Sequence, residues 1–220
     1  MITAHIASIP DREQSLQMVV NAIAPQVNRT IVALNGYTEV PEWLRNMRNV
    51  DAEILDNSLK DCAKFLHIND EKGVCFVLDD DLIVPSHYVR YLFYHLQEYG
   101  GAVSLHGRIY PRPIEHFRRW VVNCRCLGTV KENMTVDLIG TGCMAFDNTD
   151  IGVDDSVFEY PGMADITFSR LCHRQGKRMT VLAHPAHYLT YIAPQSTIWR
   201  TTRDFSLHNK LLNEFLCPNH

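Results

Sequence analysis

The sequence predicts an α/β protein: one domain over residues 1–220, built on a mostly parallel central sheet with covering helices. Three observations carry this reading. Short apolar runs alternate with stretches of helical spacing through residues 1–100, the pattern of parallel strands joined by crossover helices. No internal repeat, low-complexity tract or linker divides the 220 residues, a length for one large domain or two small ones. The composition, 46% hydrophobic and 21% charged, is that of a chain that buries one sizeable core.

Residues 2–9 read as a first strand, stopped by Pro10. Asp11 is placed to cap a helix over 12–24, where Leu16, Val19, Val20 and Ile23 share a face, and Pro25 ends it. Residues 30–34 form a second buried strand closed by the turn Asn35-Gly36. A short helix over 41–47, a strand over 52–55 and a helical stretch over 60–68 follow, the last with Cys62, Phe65 and Leu66 on one face. Residues 73–78 are a fourth strand. Beyond it the pattern is more irregular. A helix runs from Pro85 to about Tyr99 and breaks at Gly100-Gly101, and residues 102–105 form a strand. Residues 110–120, with two prolines and several basic side chains, read as a surface loop or flap. A strand lies within 136–146, a helix over 164–175, a strand over 178–183 and a last helix over 201–216.

The net charge of −4 offers no basic field, so nucleic acid is not an expected partner. The seven cysteines include no CxxC pair, and Cys124 and Cys126 stand too close for an unstrained zinc clasp. Free thiols in a reducing cytosol are expected. The Asn-x-Thr triplets at Asn28 and Asn133 matter only in a secretory context. No basic stretch followed by an apolar one opens the chain, so no signal peptide is expected. No apolar run reaches the ~18–20 residues of a membrane span, so no transmembrane segment is expected.

The fourth strand ends in Asp79, Asp80 and Asp81. Burying one unpaired carboxylate costs several kcal/mol, and adjacent carboxylates repel one another. The carboxyl ends of strands are also where open α/β sheets hold ligands. Such a cluster points to Mg²⁺ or Mn²⁺, whose shell one or two carboxylates share with substrate phosphate and water. A solvated turn with helix-capping aspartates ahead of Pro85 is the alternative.

With these residues the chain resembles the nucleotide-sugar-dependent glycosyltransferases of the GT-A fold, especially the inverting family-two type. The matching segments are residues 7–12 after the first strand, 31–37 at the second, and Ala63-Lys64 before the fourth. Further matches are the DXD-like Asp79-Asp80-Asp81, then residues 140–143, 162–165 and 184–187, in the family's order. The resemblance implies a nucleotide-binding half over about 1–100 and an acceptor-binding half over about 101–220. In it the backbone near Ser8, with Arg12 nearby, cradles the nucleotide. Asn35 stands where relatives often carry an aspartate that bonds the base. Lys64 reaches the base or diphosphate. Asp79, with Asp80 beside it, binds the ribose side, and Asp81 binds the metal. Asp165 is the implied catalytic base, at the position of an acidic pair whose first member is here Ala164. Interaction with the helix N-terminus is the alternative role for Asp165.

His184, directly after an apolar strand, is the expected further metal ligand, with His187 the alternative. Gly140-Thr141-Gly142 suits close backbone approach to the donor sugar, or a tight strand bend. His106, Arg108, Tyr110, Arg112, Arg118 and Trp120 make a basic, aromatic surface for acceptor or diphosphate.

The expected activity is metal-dependent transfer of a hexosyl group from a nucleoside-diphosphate sugar, a UDP-sugar by preference, to an acceptor hydroxyl on a glycan, with inversion, in the cytoplasm. A sugar nucleotidyltransferase is the alternative enzyme, although residues 8–12 lack its glycine-rich loop. A nucleotide- or glycan-binding module without turnover is the non-enzymatic alternative.

Overall fold

The computed structural model describes residues 1–193 and 202–218. Its first half runs β1 (Ile2–Ser8), α1 (Glu13–Ile23), β2 (Arg29–Asn35), α2 (Glu42–Arg45), β3 (Val50–Leu55) and β4 (Val74–Asp79). Then come β5 (Leu82–Ile83), α3 (Tyr88–Tyr99), β6 (Ala102–Ser104), β7 (Gly107–Ile109) and β8 (Val122–Cys124). The remainder comprises β9 (Met134–Thr135), β10 (Leu138–Ile139), β11 (Cys143–Asp147), α4 (Ala164–Arg174), β12 (Met179–Val181), β13 (Thr190–Tyr191) and α5 (Ser206–Leu216).

Eight strands form the central sheet in the order β3-β2-β1-β4-β11-β6-β12-β9. The pairs β2–β3, β1–β2, β1–β4 and β6–β12 are parallel. Strand β11 is antiparallel to both of its neighbours, and β9 is antiparallel to β12 at the edge. The sheet is thus mostly parallel and belongs to a single α/β domain, as the alternation predicts.

Side-chain alternation explains why its strands read as unbroken apolar runs. On β4, Val74, Phe76 and Leu78 join the core beneath α1 and α3, with Leu16, Val20, Tyr88 and Leu92. The intervening Cys75 and Val77 join the core beneath α4, with Phe65, Phe168 and Leu171. A strand covered on both faces has no polar face to display.

Three local expectations change. Asp11 makes no cap: the chain enters α1 through a 3-10 turn, Pro10–Arg12, without a side-chain cap bond. The stretch expected to be helical over 60–68 is a 3-10 turn, Lys60–Phe65. The 110–120 loop is not a free flap. Tyr110, Ile114 and Phe117 are buried in a third cluster with Leu211 and Leu212 of α5. Asn209 and Asn213 of α5 accept the Phe117 and Ile114 backbone N–H at 2.6 and 3.0 Å. The apolar residues recur at i, i+4 and i+7, so one edge of the loop turns inward while its basic residues stay outside. Thr201, the expected first residue of the last helix, lies outside the described residues. Among the described residues no helix is long and apolar enough to cross a membrane.

Candidate active site

From β1 the chain moves outward to β2 and β3 on one side and returns to place β4 on the other. The β1/β4 boundary is therefore a switch point, where carboxyl ends of strands leave a crevice. Ser8, Asn35 and Asp79 end β1, β2 and β4 side by side. A cleft of about 990 Å³ opens above them. Eight of the nine expected site residues line it: Ser8, Arg12, Asn35, Lys64, Asp79, Asp80, Asp81 and Asp165.

The three aspartates have different partners. Lys64, itself buried, donates from Nζ to Asp79 Oδ1 at 2.7 Å. Desolvation opposes ionisation of Asp79, but this ammonium holds its carboxyl below the usual range. Asp80 accepts from Ser8 Oγ at 2.6 Å and from Arg12 Nη1 at 2.7 Å. Ser8 and Arg12 thus anchor Asp80 with their side chains, and burial still raises its carboxyl. Asp81 is left with Arg12 at 3.6 Å. Burial, with Asp79 and Asp80 as like-charged neighbours, pushes its carboxyl up to about 7. Two cations thus face three carboxylates, and the excess negative charge sits on Asp81 at the cleft.

Asn35 is 2% exposed. Its Nδ2 donates to the Lys60 carbonyl at 2.8 Å, which fixes the amide, while buried Oδ1 has no partner among the described residues. That acceptor suits an N–H donor such as a nucleobase edge.

Asp165 lies in the first turn of α4. Its Oδ1 accepts from the Thr141 backbone N–H at 2.8 Å and from Thr141 Oγ1 at 2.7 Å. Its Oδ2 takes no hydrogen bond among the described residues. The Gly140-Thr141-Gly142 turn therefore orients Asp165, a role the sequence reading did not assign to it. Asp61 was also missed. It is half-buried in the 3-10 turn Lys60–Phe65, accepts from the Gly162 and Ala164 N–H groups at 2.7 and 3.2 Å, and so ties the start of α4 to the nucleotide half. Burial raises its carboxyl, and nearby Lys64 opposes that rise. Nothing in the linear sequence pairs Asp61 with residues a hundred positions away.

Gly142 has a steric reason to be glycine. A Cβ there would stand 2.1 Å from Asp79 Oδ2 and 2.6 Å from its Cγ. Because Lys64 pins that carboxylate, Gly142→Ala is expected to cost about 1–3 kcal/mol, the range for overpacking. Urea unfolding measures it; an unchanged midpoint would mean that Asp79 moves aside freely.

His184 is the ninth expected residue, and it does not line the cleft. It is buried beside the isolated bridge to Val130. Its Nδ1 lies 2.8 Å from the Leu182 carbonyl oxygen and its Nε2 3.3 Å from that of Arg125. Both ring nitrogens face backbone, so this geometry gives His184 a structural setting in place of the expected one beside Asp81. His187 is exposed on the following turn. Among the described residues no group of three or more His, Cys, Asp or Glu side chains could hold a metal alone.

The sequence matches no protein-family model and no curated protein. Solved structures do match. The crystal structure of S. aureus TarS 1-349 is similar at a TM-score of 0.55 and 14% identity, over 98% of this chain and 70% of that one. A crystal structure titled as a mycobacterial protein is similar at a TM-score of 0.58 and 15% identity, over 98% of this chain and 72% of that one. At such identities the likeness speaks to the fold, and with the switch-point cleft it agrees with the family resemblance of the sequence: the chain has the GT-A glycosyltransferase fold.

Proposed function

We propose that this chain is a metal-dependent glycosyltransferase that moves a hexosyl group from a nucleoside-diphosphate sugar, a UDP-sugar by preference, to a hydroxyl of a glycan acceptor with inversion. The observation that carries the reading is the convergence of Asn35, Lys64, Asp81 and Asp165, from four separate elements, on one cleft at the switch point of a GT-A fold. The neighbour TarS is a teichoic acid glycosyltransferase, which supports the same class. Seven free cysteines support a reducing, cytosolic setting.

The acceptor hydroxyl gives its proton to Asp165 Oδ2 while its oxygen bonds the anomeric carbon. The bond from that carbon to the diphosphate breaks, and its electron pair leaves with the nucleoside diphosphate. Thr141 holds the base in place through Oδ1. The uncompensated charge on Asp81 fits Mn²⁺ or Mg²⁺, a cation that commonly takes one or two carboxylates and fills its shell with phosphate oxygens and water. Such an ion would supply charge neutralisation for the departing diphosphate. Asn35 Oδ1 would accept from the base, and Lys64, shared with Asp79, would face the diphosphate.

Calorimetry with UDP, GDP, ADP and CDP in the presence of Mn²⁺ tests this. One of them should bind, and EDTA or Asp81→Asn should weaken it about ten-fold or more. If none binds, the donor reading falls; if one binds equally well with EDTA and in Asp81→Asn, the metal role falls. Slow hydrolysis of the matching nucleotide sugar without acceptor separates an enzyme from a binding module.

A further inference from the structure

We propose that a side pocket of the cleft binds an anionic group, phosphate or carboxylate, carried by the acceptor; this rests on the glycosyltransferase reading and adds the chemical class of the acceptor. The pocket has a volume of about 360 Å³ and is lined by His106, Arg108, Trp120, Asn123 and Arg125. Three of these, His106, Arg108 and Arg125, also line the main cleft, so the pocket is a branch of it. No carboxylate lines it among the described residues.

The pocket is built by the small sheet β10-β7-β8. Arg108 on β7 and Asn123 on β8 are directly opposed cross-strand partners, which places their side chains together on one face. Arg108 is 7% exposed, and its guanidinium lies 5.2 Å from the ring centres of both Phe117 and Trp120. Aromatic faces hold a guanidinium in a fixed plane, suited to a planar or tetrahedral oxyanion. Arg125 follows β8 directly, is exposed, and forms no ion pair with the described residues. Among the described residues the buried Nδ1 of His106 and Oδ1 of Asn123 have no hydrogen-bond partner.

Position assigns the anion to the acceptor and not to the donor diphosphate. The same small sheet leads from β10 into Thr141, which orients Asp165. The branch is thus continuous with the loop that orients the base; His106 at its mouth also acts on Asp79 at the end of β4, so competition with a nucleoside diphosphate is part of the test. An acceptor with its anion in the branch would present a neighbouring hydroxyl toward Asp165.

Calorimetry on the intact chain tests this with four probes: inorganic phosphate, glycerol phosphate, a hexuronate and the neutral hexose. Each is titrated with and without Mn²⁺ and a saturating nucleoside diphosphate. At least one anionic probe should bind, and glycerol phosphate against hexuronate tells which anion the pocket takes. Arg125→Gln, at an exposed position that the fold tolerates, should weaken that probe about ten-fold. Asn123→Asp, which puts a like charge in the pocket, should abolish it. Equal binding of hexuronate and neutral hexose, no binding of any anion, or wild-type affinity in Arg125→Gln would overturn the proposal. So would displacement of inorganic phosphate by the nucleoside diphosphate, which would make this the donor's own phosphate site. Anion binding that persists in a chain for which no nucleoside diphosphate binds would leave the pocket standing and remove the donor reading instead.

Discussion

Asp165→Asn is expected to lower sugar transfer by about 10²–10⁴-fold, the usual contribution of a general base, while donor affinity stays near wild type. The substitution is close to isosteric, and the hydrogen bonds at the site make its effect specific. Asp165 Oδ1 receives both Thr141 donors, so an asparagine would turn its carbonyl oxygen toward them and put its NH₂ group where Oδ2 stands. That group cannot take a proton. The loss should therefore appear in kcat, and separate calorimetry should show donor binding unchanged. Transfer at the wild-type rate would place the base elsewhere. Glu159 is then a weak candidate because it is tied to Arg170 at 2.6 Å. Asp61, which lines the cleft, becomes the stronger one. Loss of donor binding with a normal rate at saturation would instead make Asp165 a sugar-positioning residue.

Much of this site was legible because its parts follow strand ends. An apolar run that stops at a polar residue marks where a strand leaves the core, and Ser8, Asn35 and Asp79 all stand at such points. The contacts between distant segments were not legible. Asp61 reaches the start of α4, and Arg108 meets Asn123 across a sheet whose pairing no linear pattern specifies. Two of the expectations that changed, at the 110–120 loop and at His184, turn on neighbours that only the fold supplies. The 110–120 loop looked solvated because its charges are conspicuous, yet three apolar residues at helical spacing dock it on α5. His184 looked like a ligand because it follows a strand, but that strand belongs to the second half of the sheet, and backbone carbonyls face both of its ring nitrogens. A residue's place at a strand end predicts chemistry only when that strand borders the switch point.

The second large effect concerns stability. Lys64→Met should destabilise the fold by about 3 kcal/mol, the lower end of the range for breaking a buried ion pair, and Asp79→Asn by less than half as much. The asymmetry follows from exposure and from the number of partners. The Lys64 side chain is 2% exposed and that of Asp79 is 45% exposed. Burial alone would discharge Lys64, but Asp79 and Asp61, with a smaller contribution from Asp165, hold it charged. Methionine fills the same space and leaves those carboxylates without their shared cation. Asp61 keeps two backbone N–H donors and Asp79 keeps water, which is why the loss stays near the lower end. Asp79→Asn leaves Lys64 with Asp61 and Asp165 and with an amide oxygen in place of the carboxylate. Urea unfolding of both single variants and of the double variant forms a cycle whose coupling term isolates the pair. Equal losses in the two single variants, or a Lys64→Met chain as stable as wild type, would show that the cleft aspartates do not depend on this cation. The charge balance inferred at Asp81 would then have to be rebuilt around Arg12 alone.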